Sequence, residues 1–192
     1  MEITIQEINN LKAGAPFTDE TARELISIIK VFRLKKYQTF LREGETCNYW
    51  GYVVDGLLRA YYYKGAKEVA ECFSSERTTF ISVESYVNRV PSRLILEALE
   101  PTVLYAFNYD DFEALCRRNH EVEHWFRKEL ERILVDSRRR LDSLQFETAR
   151  ERYDNLMKEI PHLLLRIPAV YIASYLGITP ETLSRVRSKR DM

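Results

Sequence analysis

The run Ala169-Val-Tyr-Ile-Ala-Ser-Tyr-Leu-Gly-Ile-Thr-Pro-Glu-Thr-Leu-Ser-Arg-Val186 is satisfied by few folds, so it constrains this chain most. Val170, Ile172, Ala173 and Leu176 are expected to form the buried face of a first helix. Gly177 follows at a C′ position, where positive φ is commonly required, and Ile178 is expected to plug the space between two helices. Thr179 suits an N-cap, and Pro180 suits the first helical position, where no N–H is needed. Leu183 and Val186 return at helical spacing, while small Ala173 lets two helices cross steeply. The pattern predicts a helix-turn-helix. Its outward groups are Thr179, Glu181, Thr182, Ser184, Arg185, Arg187 and, past the second helix, Lys189. These are donors and acceptors of the kind that read base edges and hold phosphates. A helical hairpin that only closes a core explains the apolar spacing but not the coincidence of glycine, cap and polar outer face.

Charge supports that placement. The chain of 192 residues carries 29 basic and 29 acidic side chains, so the whole has no nucleic-acid signature. From Pro161 onward Arg166, Arg185, Arg187, Lys189 and Arg190 face only Glu181 and Asp191, a net +3. The positive end therefore coincides with the proposed reading helix. Cys47, Cys72 and Cys116 stand far apart with no CxxC pair, which fits a reducing cytoplasm better than a disulfide framework. The opening residues are polar and acidic, and no apolar run reaches bilayer length, so neither a signal peptide nor a membrane span is expected.

Along the chain the periodicity changes three times. Thr18 can cap a helix running to about Lys30, with Asp19 and Glu20 in its first turn and Ala22, Leu25, Ile26 and Ile29 buried. From about Phe32 to Asn108 the texture is β. Tyr49-Trp-Gly-Tyr-Val-Val54 and Leu57-Leu-Arg-Ala-Tyr-Tyr-Tyr63 flank Asp55-Gly56, a tight-turn signal. Val69 to Phe73, Leu94 to Leu99 and Thr102 to Asn108 are further strands. The tyrosines here suit ordinary sheet packing in a small roll or barrel. From Asp110 the pattern is helical, and His120 to Phe146 holds no Gly or Pro. Val122, Phe126, Leu130, Ile133, Leu141 and Leu144, with Ser137 in the gap, form a heptad-like seam. It either packs on its own chain or pairs with a copy of itself, and a dimer through Phe126, Leu130 and Ile133 is the favoured reading. Arg138-Arg-Arg140 reads as a solvated face. His120 and His124 lie one turn apart with no third ligand near, so no metal site is expected.

The order of these parts resembles the Crp/Fnr family of bacterial transcription regulators. The stretches that carry the likeness are Gly44-Glu45, the Tyr52-Val-Val-Asp-Gly56 turn, the long helix and Gly177 to Val186. The resemblance implies an α+β fold: a cyclic-nucleotide-binding-like β-roll sensor over 1–119, a dimerisation helix over 120–146 and a DNA-binding helix-turn-helix over 147–192. It implies a cytoplasmic homodimer that is not an enzyme and reads an inverted repeat in double-stranded DNA through Pro180 to Ser188. RNA polymerase and an unidentified small-molecule effector are the other partners it implies. Glu181 would accept from a cytosine amino group and Arg185 would donate to guanine. Pro180 stands where the family often has a further base-contacting residue, so one base position is expected to be read loosely. The chain stops six residues after Val186, so the family's β-hairpin wing is expected to be missing.

The family's phosphate-binding cassette corresponds to Phe80 to Arg93. Glu84 takes the place of the ribose-binding glutamate, and Ser92-Arg93 that of the arginine and serine in reversed order. The cassette glycine is replaced by Ser82 or Val83, whose Cβ narrows the backbone approach a phosphate needs. No cofactor is expected, and cyclic AMP is doubtful. An iron–sulfur sensor needs four thiolates, one more than the chain has. A barrel oxygenase needs histidines inside the roll, whereas His120, His124 and His162 lie outside it. The alternative is a ligand-binding or protein-interaction β-roll protein with a vestigial helix-turn-helix.

Overall fold

The computed structural model describes residues 3–11 and 15–188. Helices α1 (Ile5–Asn9) and α2 (Asp19–Ile28) precede strands β1 (Ile29–Leu34), β2 (Thr39–Leu41), β3 (Tyr49–Asp55), β4 (Leu57–Lys64), β5 (Lys67–Ser75) and β6 (Thr79–Phe80). After α3 (Val83–Asn88) come β7 (Ile95–Ala98) and β8 (Thr102–Asn108). The rest is helical: α4 (Tyr109–Arg118), α5 (His120–Phe146), α6 (Ala149–Glu159), a 3-10 turn (Leu163–Leu165), α7 (Ala169–Tyr175) and α8 (Pro180–Ser188). No helix is long and apolar enough to cross a membrane among the described residues. The chain divides into two compact units, one of residues 1–60 and 73–131, the other of 61–72 and 132–192.

In the first unit Thr18 caps α2 through its hydroxyl, which accepts from the Thr21 N–H. The helix stops at Ile28, short of the expected Lys30. From Ile29 the backbone pairs with β8, Ile29 opposite Phe107 through Leu34 opposite Thr102, and that pairing overrides the helical pattern. Two four-stranded sheets form the roll, in the orders β1-β8-β3-β6 and β2-β7-β4-β5. Asp55-Gly56 is therefore not a hairpin turn, because β3 and β4 lie in different sheets. Gly56 (φ +99°) makes the corner, and a Cβ there would sit 2.6 Å from the Pro101 carbonyl oxygen. The hairpin is β4–β5.

The core of this unit is aromatic. Trp50 and Tyr52 of β3 pack with Phe107 of β8, Phe112 of α4 and Trp125 of α5. Ring centroids lie 4.9 Å apart for Trp50–Phe112 and 5.2 Å for Trp50–Trp125. Such contacts add to the burial of large rings.

In the second unit Thr148 and Glu151 close a capping box at the start of α6. Tyr153, Leu156, Leu163, Leu164, Ile167, Ile172, Ala173, Leu176 and Leu183 are buried there.

Candidate nucleic-acid interface

α7 and α8 form the expected helix-turn-helix geometry. Ile172 and Ala173 are wholly buried, and Leu176 and Leu183 join them. Val170, expected in this face, is instead 53% exposed. At about 100° per residue it projects roughly 110° away from the stripe of Ile172, Ala173 and Leu176. At the turn Gly177 has φ +66°. Its N–H donates to the Ser174 carbonyl (3.1 Å), and the Ile178 N–H donates to the Ala173 carbonyl (3.0 Å). Together these bonds make a Schellman motif.

Two arginines of α6 brace the pair. Arg152 Nε donates to the Leu176 carbonyl (2.8 Å), and Arg150 donates to the Val186 carbonyl (2.9 Å). Sequence reasoning missed them, since the only signal was two arginines on an adjoining helix.

Thr179 caps α8, its hydroxyl accepting from the Thr182 N–H at 3.2 Å. Glu181, Ser184 and Arg185 are exposed and Thr182 is half-buried. The Arg185 guanidinium donates to the Thr182 hydroxyl at 3.1 Å. The Thr179 hydroxyl, a backbone N–H and the charge of Arg185 hold the Glu181 carboxyl below its ordinary pKa. An ionised acceptor and a guanidinium therefore stand one turn apart on an exposed helix face. Arg187 is half-buried, its guanidinium 5.8 Å from the Tyr153 ring centroid. Lys189 lies outside the described residues.

In the roll, Glu84, Ser92 and Arg93 differ in burial. Ser92 is buried, and its hydroxyl is bonded to that of Ser82 (2.9 Å) and to the backbone of Leu94. The Gly44 N–H donates to the Ser92 carbonyl, and the Ser92 N–H to the Glu45 carbonyl. Glu84 and Arg93 are exposed. Arg89, in left-handed conformation at the end of α3, donates to the Cys47 carbonyl (2.8 Å) and stacks 4.0 Å over Tyr109. A cyclic phosphate needs bare backbone and an inward arginine. Here the Ser82 and Ser92 hydroxyls are bonded to each other and Arg93 is exposed.

Helix α5 divides its apolar positions. Val122 and Trp125 are buried in the aromatic core. Phe126, expected at a dimer interface, instead packs in its own unit, its ring 4.7 Å from Trp50 and 5.1 Å from Phe112. Leu130 and Ile133 are half-buried. Leu134, Leu141 and Leu144 are exposed, Leu134 by 70%. His120 lies 3.5 Å from Glu123, and His124 hydrogen-bonds to Arg127. Among the described residues no three His, Cys, Asp or Glu side chains are grouped to hold a metal ion.

Residues 31–119 match the family Cyclic nucleotide-binding domain. A comparison with curated protein sequences finds no match. Among solved structures, FixK2 from Bradyrhizobium japonicum is similar with TM-score 0.75 and 22% identity, covering 84% of each chain. The Thermus thermophilus Catabolite Activator Protein is similar with TM-score 0.60 and 24% identity, covering 94% of this chain and 85% of that one. A Crp/Fnr-family protein from Eubacterium rectale gives TM-score 0.70 at 15% identity, covering 88% and 82%. Residues 31–119 are thus similar to a cyclic nucleotide-binding domain, and the chain shares the fold of these solved structures.

Proposed function

We propose that this protein is a DNA-binding transcription regulator that acts as a homodimer and has no catalytic role. Its sensor roll, dimerisation helix and DNA-binding segment are proposed as 1–119, 120–146 and 147–192. The observation that carries the reading is the outer face of α8. Thr179, Glu181, Thr182, Ser184 and Arg185 are presented on a helix fixed by a Schellman turn and two arginine braces. Arg187 and Lys189 are proposed as phosphate contacts. Selection of bound duplexes from a random-sequence pool tests the proposal. An inverted repeat is expected, and a pool that never enriches overturns it.

Pairing is proposed through Leu130, Leu134, Ser137, Leu141 and Leu144, whose spacing alternates four and three. Ile133 flanks that seam, and Phe126 is given to the core. Cyclic AMP is not the effector in this reading, which the bonded Ser82 and Ser92 hydroxyls and the exposed Arg93 support. Calorimetry should show no binding stronger than about millimolar, whereas a micromolar constant abolished by Arg93→Ala would restore the nucleotide site.

A further inference from the structure

We infer that Ser174 and Arg140 are positioning residues that fasten the tip of the β4–β5 hairpin to α7 and so set the orientation of α8. The inference rests on the DNA-reading proposal above. β5 is an edge strand of its sheet, which leaves main-chain groups without a strand neighbour on one side. Ser174 occupies that side. Its hydroxyl donates to the Glu68 carbonyl at 2.9 Å and accepts from the Ala70 N–H at 3.0 Å. A carbonyl and the N–H two residues on are the pair that a neighbouring strand would engage, so one serine substitutes for a strand.

A second tie lies beside the first. The Arg140 guanidinium donates to the Ala70 carbonyl at 3.1 Å and lies 3.8 Å from the centroid of the Tyr175 ring. Consecutive residues of α7 are thus held, one by its hydroxyl and one by its ring, to the same few residues of β5. The Schellman turn begins at once after them, and Leu183 packs α8 on α7, so a tilt of α7 is passed to the reading helix. β4 and β5 also run without a break into the roll sheet. The hairpin is therefore covalently continuous with the roll sheet and joined to α7 by hydrogen bonds, a second path besides the covalent one through α5.

The test uses the full chain, the selected duplex and a scrambled one, with amide exchange read at Ala70. Ser174→Ala should speed that exchange and lower the ratio of selected to scrambled affinity by about tenfold, the scale of two lost hydrogen bonds. Scrambled binding should stay unchanged, and Ser174→Thr, which keeps the hydroxyl, should restore both readouts. Arg140→Met removes the bond to Ala70 while keeping length over Tyr175, and should lower the ratio independently. That variant decides the matter by the same criterion if Ser174→Ala does not fold. Faster exchange with the ratio within about twofold of wild type would overturn the inference and leave DNA reading intact. A wild-type protein that prefers neither duplex would overturn DNA reading itself, and the inference with it.

Discussion

Arg185 and Glu181 lie one turn apart on α8, and in the proposed complex their chemistry sets what that helix would offer to a base pair. A guanidinium bidentate to guanine supplies about 1–3 kcal/mol of discrimination. Arg185→Ala should therefore weaken binding to the matched duplex by that amount, and by much less when the guanine itself is replaced. Equal losses on matched and scrambled duplexes would make Arg185 a phosphate anchor. Glu181 makes a pH prediction. Its folded pKa is depressed, so whatever it contributes is present above the unfolded carboxylate pKa and lost only as pH falls through the lower folded value. Binding should be free of Glu181 titration through the neutral range. The first cause of the depression is the Thr179 hydroxyl, so Thr179→Ala should move the carboxyl titration upward in an NMR experiment. An unmoved titration would remove Thr179 from that role. At Gly177, with φ +66°, an alanine should cost about 1–2 kcal/mol in thermal unfolding, because an L side chain is strained there.

Elements show where sequence is informative and where it is silent. The helix-turn-helix is legible because its signals are local: a C′ glycine, an N-cap threonine and apolar residues at helical spacing. Val170 is the exception, since inclusion by residue type ignored its angle around the helix. Asp55-Gly56 is less legible. A tight turn looks the same whether its strands pair or change sheets, and the choice is made at Pro101 and Thr102, far along the chain. The long helix is half legible. Its spacing reveals a seam, but whether a given position serves its own core depends on Trp50 and Phe112, which spacing cannot show. The stretch from Phe80 to Arg93 differs from the pattern it resembles in ways that sequence does reveal, while the pairing of buried Ser92 with Ser82 joins residues whose contact no sequence signal marks. For α5 the exposed leucines carry the prediction. Leu134→Glu with Leu141→Glu places charge in the pairing seam and should give a folded monomer by light scattering. A double variant that remains dimeric would place the interface elsewhere.

At the scale of the whole molecule, the proposed seam and the proposed reading helix have to agree. A two-fold axis through paired α5 helices would place two α8 helices on successive major grooves, about 34 Å apart along one face of the duplex. In that proposed assembly Arg187 would add sequence-independent affinity. Its loss should lower the slope of log affinity against log salt by about one unit per protomer, with the same effect on every duplex. Spacing tests the assembly more sharply. Inserting about five base pairs between half-sites turns one of them half a revolution away, so a dimer can engage only one at a time. Wild-type affinity should then fall to that of a single half-site, and a further insertion of about five base pairs should recover part of it by restoring the face. The Leu134→Glu, Leu141→Glu double variant, binding as separate monomers, should ignore both insertions. If wild type ignores them as well, the two reading helices are not held by a common axis, and pairing through α5 is not what presents them to DNA.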